Sequence, residues 1–182
     1  MALVAAAPAA AAAQAADALL ARHAQLDREL SRRETPARER RLVRLLDQTI
    51  DYDMIVRRVL VVHWDDLSEA QREEVTDLLT RAIRHRYRAS VEALRGWDVT
   101  VRSDAPQGVG RRVIARAVRG EETRDVGYDL YEADGEWRVV DLRVEGDSLV
   151  HQYRVQFDRV IRHEGWDGFI ERLRHRVESD ES

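Results

Sequence analysis

The side chains with chemistry to offer are few and scattered: six histidines, a carboxylate inside an alternating apolar run, a tyrosine in a neighbouring run, and an arginine just past a glycine turn. His23, His63, His85, His151, His163 and His175 lie far apart in sequence. No HExxH pair or aspartate-rich loop completes a metal site around them. His63 beside Trp64 reads as a loop or core-rim histidine, and His85 lies at the edge of an apolar helix stripe. Asp141 alternates with Val139 and Arg143 on one strand face. Buried in a pocket, it would be an acid of raised pKa. An ion pair with Arg143 or a capping role is the plainer expectation. Asp141 and Tyr128 inside a concave sheet support one enzymatic reading, an isomerase or hydratase, but no second acid or base stands convincingly beside them. Tyr153 and Arg154 follow Gly146 into the first turns of a helix, where free backbone N–H groups favour anions. Arg154 there would help hold a phosphate; pairing with a carboxylate is the simpler expectation.

What is missing narrows the field further. There is no Walker loop, no GxGxxG and no GxSxG. Cys is absent, and all 30 basic residues are Arg. Thiol chemistry, thiolate metal sites, disulfides and lysine nucleophiles are thereby removed. No catalytic residue and no metal ligand is assigned.

The elements that must position these residues follow from apolar spacing. Leu19, Leu20, His23, Leu26 and Leu30 predict a helix over 17–34. Thr35 and Pro36 start a second, running to Ile50 with Leu42, Leu45 and Leu46 inward. Asp51 opens a short helix through Leu60. Ser68 and Gln71 form a capping box before the longest helix, 69–95, whose stripe includes Val75, Leu78, Leu79, Ala82, Ile83 and Tyr87. From Trp97 the period changes to two. Four strands, over 97–102, 112–118, 125–132 and 138–144, are joined by short turns such as Asp134-Gly135, predicting an antiparallel meander. Ser148 is the expected N-cap of a helix carrying Leu149, Val150, Tyr153, Phe157, Val160 and Ile161 on one face. Gly165 stops it, and Asp167 caps a last helix. The expected fold is α+β: N-terminal helices, a curved four-stranded antiparallel sheet and C-terminal helices around an internal apolar pocket.

Composition sets the scale. A chain of 182 residues that is 44% hydrophobic and 35% charged suits one globular domain. A net charge of −4 argues against nucleic acid as a partner. Residues 1–16, apolar and ending in Ala13-Gln14-Ala15, read as a signal-peptide remnant without a basic n-region. Residues 17–178 then form a single domain, and 179–182 a polar tail. Aliphatic stripes are abundant while aromatic residues are 6% of the chain, which suits flexible acyl chains better than flat rings.

At this point the pattern resembles a known family. Trp137-Arg-Val-Val-Asp141, then Glu145-Gly-Asp-Ser-Leu149, then Tyr153-Arg-Val-Gln-Phe157 is similar to the W-x-V-x-D-x-x-x-x-G-x-S-L-x-x-x-Y-R-x-Q-F run of the MlaC, or toluene-tolerance auxiliary, family. Leu60-Val-Val-His-Trp64, Ser68 to Arg72, and Tyr87 resemble its helix–loop–long-helix segment. The chain departs from the pattern at Val61, where a glycine is usual, and at Asp147, where an apolar residue is usual.

The resemblance implies a soluble, monomeric periplasmic phospholipid carrier with an NTF2-like curved sheet, not an enzyme. Its cargo would be a phospholipid, with no other cofactor. Its partners would be an outer-membrane lipoprotein–porin complex and an inner-membrane ABC transporter with an MCE-domain ring, acting in outer-membrane lipid asymmetry. The residues expected against the lipid are Leu79, Ile83, Tyr87, Val99, Val113, Tyr128, Leu130, Val140, Leu142, Leu149, Tyr153 and Phe157, with Arg154 near the phosphate.

Overall fold

The computed structural model describes residues 7–93 and 95–181. Residues 1–6 of the expected leader and Ser182 of the expected tail lie outside the described residues. The element order is α1 (Ala7–Leu30), α2 (Pro36–Thr49), α3 (Tyr52–Val59), a 3₁₀ turn (Trp64–Asp66), α4 (Glu69–Ala93), β1 (Asp98–Gln107), β2 (Gly110–Arg119), β3 (Glu122–Ala133), β4 (Glu136–Val144), β5 (Asp147–Ser148) and α5 (Leu149–Glu181).

The helix starts are those the cap residues dictate. Thr35 accepts the Arg38 N–H at 3.1 Å, and Pro36 occupies the first turn of α2, where its missing N–H costs nothing. Asp51 caps α3 through the Met54 N–H at 2.9 Å. The capping box before α4 is reciprocal: Ser68 N–H donates to Gln71 at 2.9 Å, and Gln71 N–H donates to Ser68 Oγ at 3.3 Å. At Gly165 (φ 74°, ψ 176°) the chain leaves helical geometry in a region that L side chains rarely adopt, so α5 is two arms meeting at a kink.

The strands form one antiparallel sheet in the order β1-β2-β3-β4-β5. The sheet has five strands, not the four expected. Glu145 and Gly146 both take positive φ (54° and 91°), a two-residue turn that folds the chain straight back onto β4. Ser148 then pairs with Arg143, and Asp147 with Val144. Asp134 and Gly135 (φ 54° and 78°) make the equivalent turn between β3 and β4.

Two departures from simple alternation shape the interior. Pairing between β3 and β4 slips after Asp129, which faces Asp141 while Leu130 faces Val139. Val140 is therefore the extra residue of a bulge, and Val139, Val140 and Asp141 are all buried in succession. The second departure is α1. It lies against β1, β2 and β4, packing Ala15 and Leu19 onto Val113, Leu130 and Val139. The larger core is helical, built from Leu42, Leu46, Val56, Leu60, Val75 and Phe169 among others. The two layers are stitched at the α2–α3 junction, where the Asp51 N–H donates to the Val139 carbonyl at 3.0 Å.

Candidate binding cavity

A cavity of about 480 Å³ lies between α3, α4 and both arms of α5, with the end of β4 behind it. Each helix turns an apolar stripe toward it. From α3 come Ile55, Val56 and Val59; from α4, Leu79, Ala82, Ile83 and Tyr87. The first arm of α5 contributes Leu149, Val150, Tyr153, Phe157 and Val160, and the second arm Phe169 and Leu173. The kink at Gly165 lets both arms face one space, where a straight helix would carry its second half away. Phe157 and Phe169 bridge the arms with ring centroids 5.0 Å apart, and Tyr153 extends the stack at 5.6 Å from Phe157.

Of the thirteen residues expected at a ligand, Leu79, Ile83, Tyr87, Leu142, Leu149, Tyr153 and Phe157 line this cavity, and the other six do not. Val113 and Leu130 lie beneath α1, which occupies the sheet face that the sequence reading left open for a pocket. Val99 is half-buried on β1, and Val140 is buried in the bulge. Tyr128 lines a separate cleft of about 50 Å³ with Leu19, His23 and Leu26. Arg154 donates from Nε to the Arg58 carbonyl oxygen at 2.9 Å. It does not line the cavity, and among the described residues no carboxylate pairs with it; it satisfies an orphan carbonyl near the end of α3. The sequence reading missed the walls from α3 and from the second arm of α5. Their apolar spacing was visible as inward-facing, but nothing in a one-dimensional pattern separates core from cavity.

The polar groups around the cavity have definite work. Asp141 is 5% exposed and accepts two hydrogen bonds from the start of α5: the Ser148 hydroxyl at 2.5 Å and the Val150 N–H at 3.1 Å. Ser148 Oγ in turn accepts the His151 N–H at 2.9 Å, which makes it the expected N-cap. Arg143 does not pair with Asp141. It lies 3.5 Å from Asp129 and donates to the Gly146 carbonyl at 3.0 Å. Asp129 is held mainly by Arg112, through bonds of 2.6 and 2.9 Å. Thus the two carboxylates opposed across β3 and β4 have separate partners.

Tyr87 is different: its hydroxyl is buried and has no hydrogen-bond partner. Burial pushes it well above the usual phenol range, with Tyr128 and Asp141 adding to the effect. Burial also raises Tyr128, to about 12. His63, in the turn after α3, sits 3.0 Å from Asp158 and ties that turn to α5. Asp158 is held below the usual carboxylate range, first by Arg162 and then by His63. Among the described residues no three His, Asp or Glu side chains converge on a point that would hold a metal, and no helix is long and apolar enough to cross a membrane.

An antiparallel meander with helices closed over a mostly apolar cavity defines an α+β protein built around an internal space. The family model described as MlaC protein matches residues 13–175, and the chain belongs to that family. Among solved structures, the chain is similar to the phospholipid-binding protein from Ralstonia solanacearum in complex with a phospholipid. The two are 17% identical and superpose with a TM-score of 0.76, over 94% of this chain and 99% of that one. At that identity the likeness speaks for the fold. No curated protein matches the chain.

Proposed function

We propose that this protein is a phospholipid carrier of the periplasm, moving lipid between an outer-membrane complex and an inner-membrane MCE-domain ABC transporter. In this reading it is a monomer whose lipid-binding domain spans residues 17–178. The meander serves as an NTF2-like wall, and the acyl chains lie against Leu79, Ile83, Tyr87, Leu142, Leu149, Tyr153 and Phe157. The observation that carries the reading is the cavity. Its volume of about 480 Å³ falls inside the ~300–1,000 Å³ range of ligand sites, and aliphatic and aromatic side chains make most of its wall. Membership of the MlaC family and the phospholipid bound by the Ralstonia relative support the same conclusion.

The energetics suit a carrier. Each CH₂ removed from water contributes about 0.8 kcal/mol, so water alone does not extract a bound acyl chain. A bilayer offers the same apolar environment, and release then requires only that a docked partner favour an open form. The enzymatic alternative has less support: Asp141 is engaged in capping, and Tyr128 faces a different cleft. A vesicle-to-vesicle transfer assay with a fluorescent phospholipid tests the proposal. The protein should accelerate transfer in proportion to its concentration. Transfer at the spontaneous rate would count against carriage.

A further inference from the structure

The rim of the cavity is not apolar. Three guanidinium groups, Arg86 on α4 and Arg172 and Arg176 on the second arm of α5, line the space together with His85 and Asp180. Arg172, Arg176 and Asp180 recur every four residues and so stand on one face of their arm. His85 Nδ1 lies 3.7 Å from Asp180, which sets the two helices side by side at this end. His85, Arg86, Arg172 and Arg176 are exposed, whereas Leu79, Phe169 and Leu173 deeper in the wall are buried. The charged group is therefore a mouth, and the apolar stripes are what lies behind it.

The charges do not cancel at this mouth. Arg172 is engaged by Glu164 at 2.6 Å. Arg176 has only a loose contact with Asp180, at 3.8 Å, and Asp180 shares that carboxylate with His85. Arg86 has no carboxylate partner among the described residues. Among the described residues, three cations against Glu164 and Asp180 leave an excess of positive charge where a ligand with an apolar tail would keep its head. Guanidinium groups are well suited to phosphodiester oxygens, which accept two parallel N–H bonds.

Resting on the carrier reading, we infer that Arg86 and Arg176 form a headgroup site that holds the phosphodiester of the cargo and favours phospholipids whose headgroup carries net negative charge. A zwitterionic headgroup places an ammonium in the same positive field and loses part of the attraction. Asp180 opposes the preference, so its removal strengthens it.

The test is uptake from mixed vesicles of phosphatidylglycerol and phosphatidylethanolamine, with the bound lipid read by native mass spectrometry. One unit charge at a solvent-exposed site corresponds to about 1 kcal/mol, so the wild type should prefer phosphatidylglycerol by about fivefold. Arg86→Gln with Arg176→Gln should abolish the preference, phosphatidylglycerol uptake falling to the level of phosphatidylethanolamine. Asp180→Asn should raise the preference. Inorganic phosphate at millimolar concentration should not displace the lipid; displacement would mark a free-anion site and overturn the inference. Equal uptake of the two lipids, a preference for phosphatidylethanolamine, or a preference unchanged in the double variant overturns the headgroup site and leaves carriage standing. Uptake of neither lipid overturns carriage itself.

Discussion

The Ser148 hydroxyl donates to the Asp141 carboxylate at 2.5 Å, tying the N-cap of α5 to β4. With the Val150 N–H on its other oxygen, Asp141 fixes the angle at which α5 leaves the sheet, and hence the position of the cavity wall. Asp141→Ala should lower stability by about 1–2 kcal/mol, the loss of a cap plus a buried donor left unsatisfied. Asp141→Asn, which keeps one acceptor oxygen, should cost less. Urea unfolding of the two variants decides this; equal stability of wild type and alanine variant would show that the contact is idle.

Arg154 makes the same point from the other side of the helix. Its hydrogen bond to the Arg58 carbonyl joins α5 to α3, two of the cavity's walls. Arg154→Ala should destabilise by about 1.5–3 kcal/mol, in the range of hydrogen bonds to charged donors. It should leave any headgroup preference unchanged. A variant of normal stability and altered headgroup preference would instead place Arg154 at the ligand.

Tyr87 offers a contrast, since its buried hydroxyl has no partner. Removing an unsatisfied hydroxyl from an apolar wall relieves a penalty of about 1–3 kcal/mol. Tyr87→Phe should therefore match or exceed the wild type in lipid-free stability. A loss of more than about 1 kcal/mol, in the ordinary range for breaking a made hydrogen bond, would show that the hydroxyl is bonded.

Alkaline pH should expose the same burial. Tyr52, Tyr87 and Tyr128 are all raised in the folded state, chiefly by desolvation, Tyr128 to about 12. The unfolded chain then loses these protons first. Their contribution to stability is complete below the unfolded value near 10 and disappears as pH climbs through the folded value. Thermal midpoints measured from pH 9 to 12 should stay level to about pH 10 and then fall, and Tyr128→Phe should flatten the fall. A flat wild-type profile would contradict the burial of these phenols.

Much of this architecture is legible in the amino-acid order, and the exceptions have physical causes. Thr35, Asp51, Ser68 and Ser148 each mark a helix start through a short-range bond between residues three apart, which a linear pattern displays directly. The meander follows from period-two runs broken by Asp134-Gly135 and its equivalents. The bulge at Val140 was not legible, because Val139 and Val140 are equally apolar and only the pairing with β3 decides which is extra. Nor was the fifth strand, a two-residue pairing created by the turn at Glu145-Gly146. The place of the cavity was the least legible feature. Val113 and Leu130 face inward as alternation requires, but α1 fills that space, and a stripe of small and aliphatic residues does not say which surface it covers. Seven of the thirteen expected residues nonetheless line the cavity, because the α4 and α5 stripes converge on it.

The central claim is that the space between α3, α4 and α5 holds a phospholipid. Native mass spectrometry of the purified protein, before and after incubation with phospholipid vesicles, tests it most directly, with Ala82→Trp as the partner variant. Ala82 lines the cavity and is half-buried, so an indole there occupies the space. The wild type should carry the added mass of phospholipid, and the tryptophan variant should stay bare with an unchanged thermal midpoint. A wild-type protein that stays bare after incubation, or a variant that loads as fully as the wild type, would contradict the account.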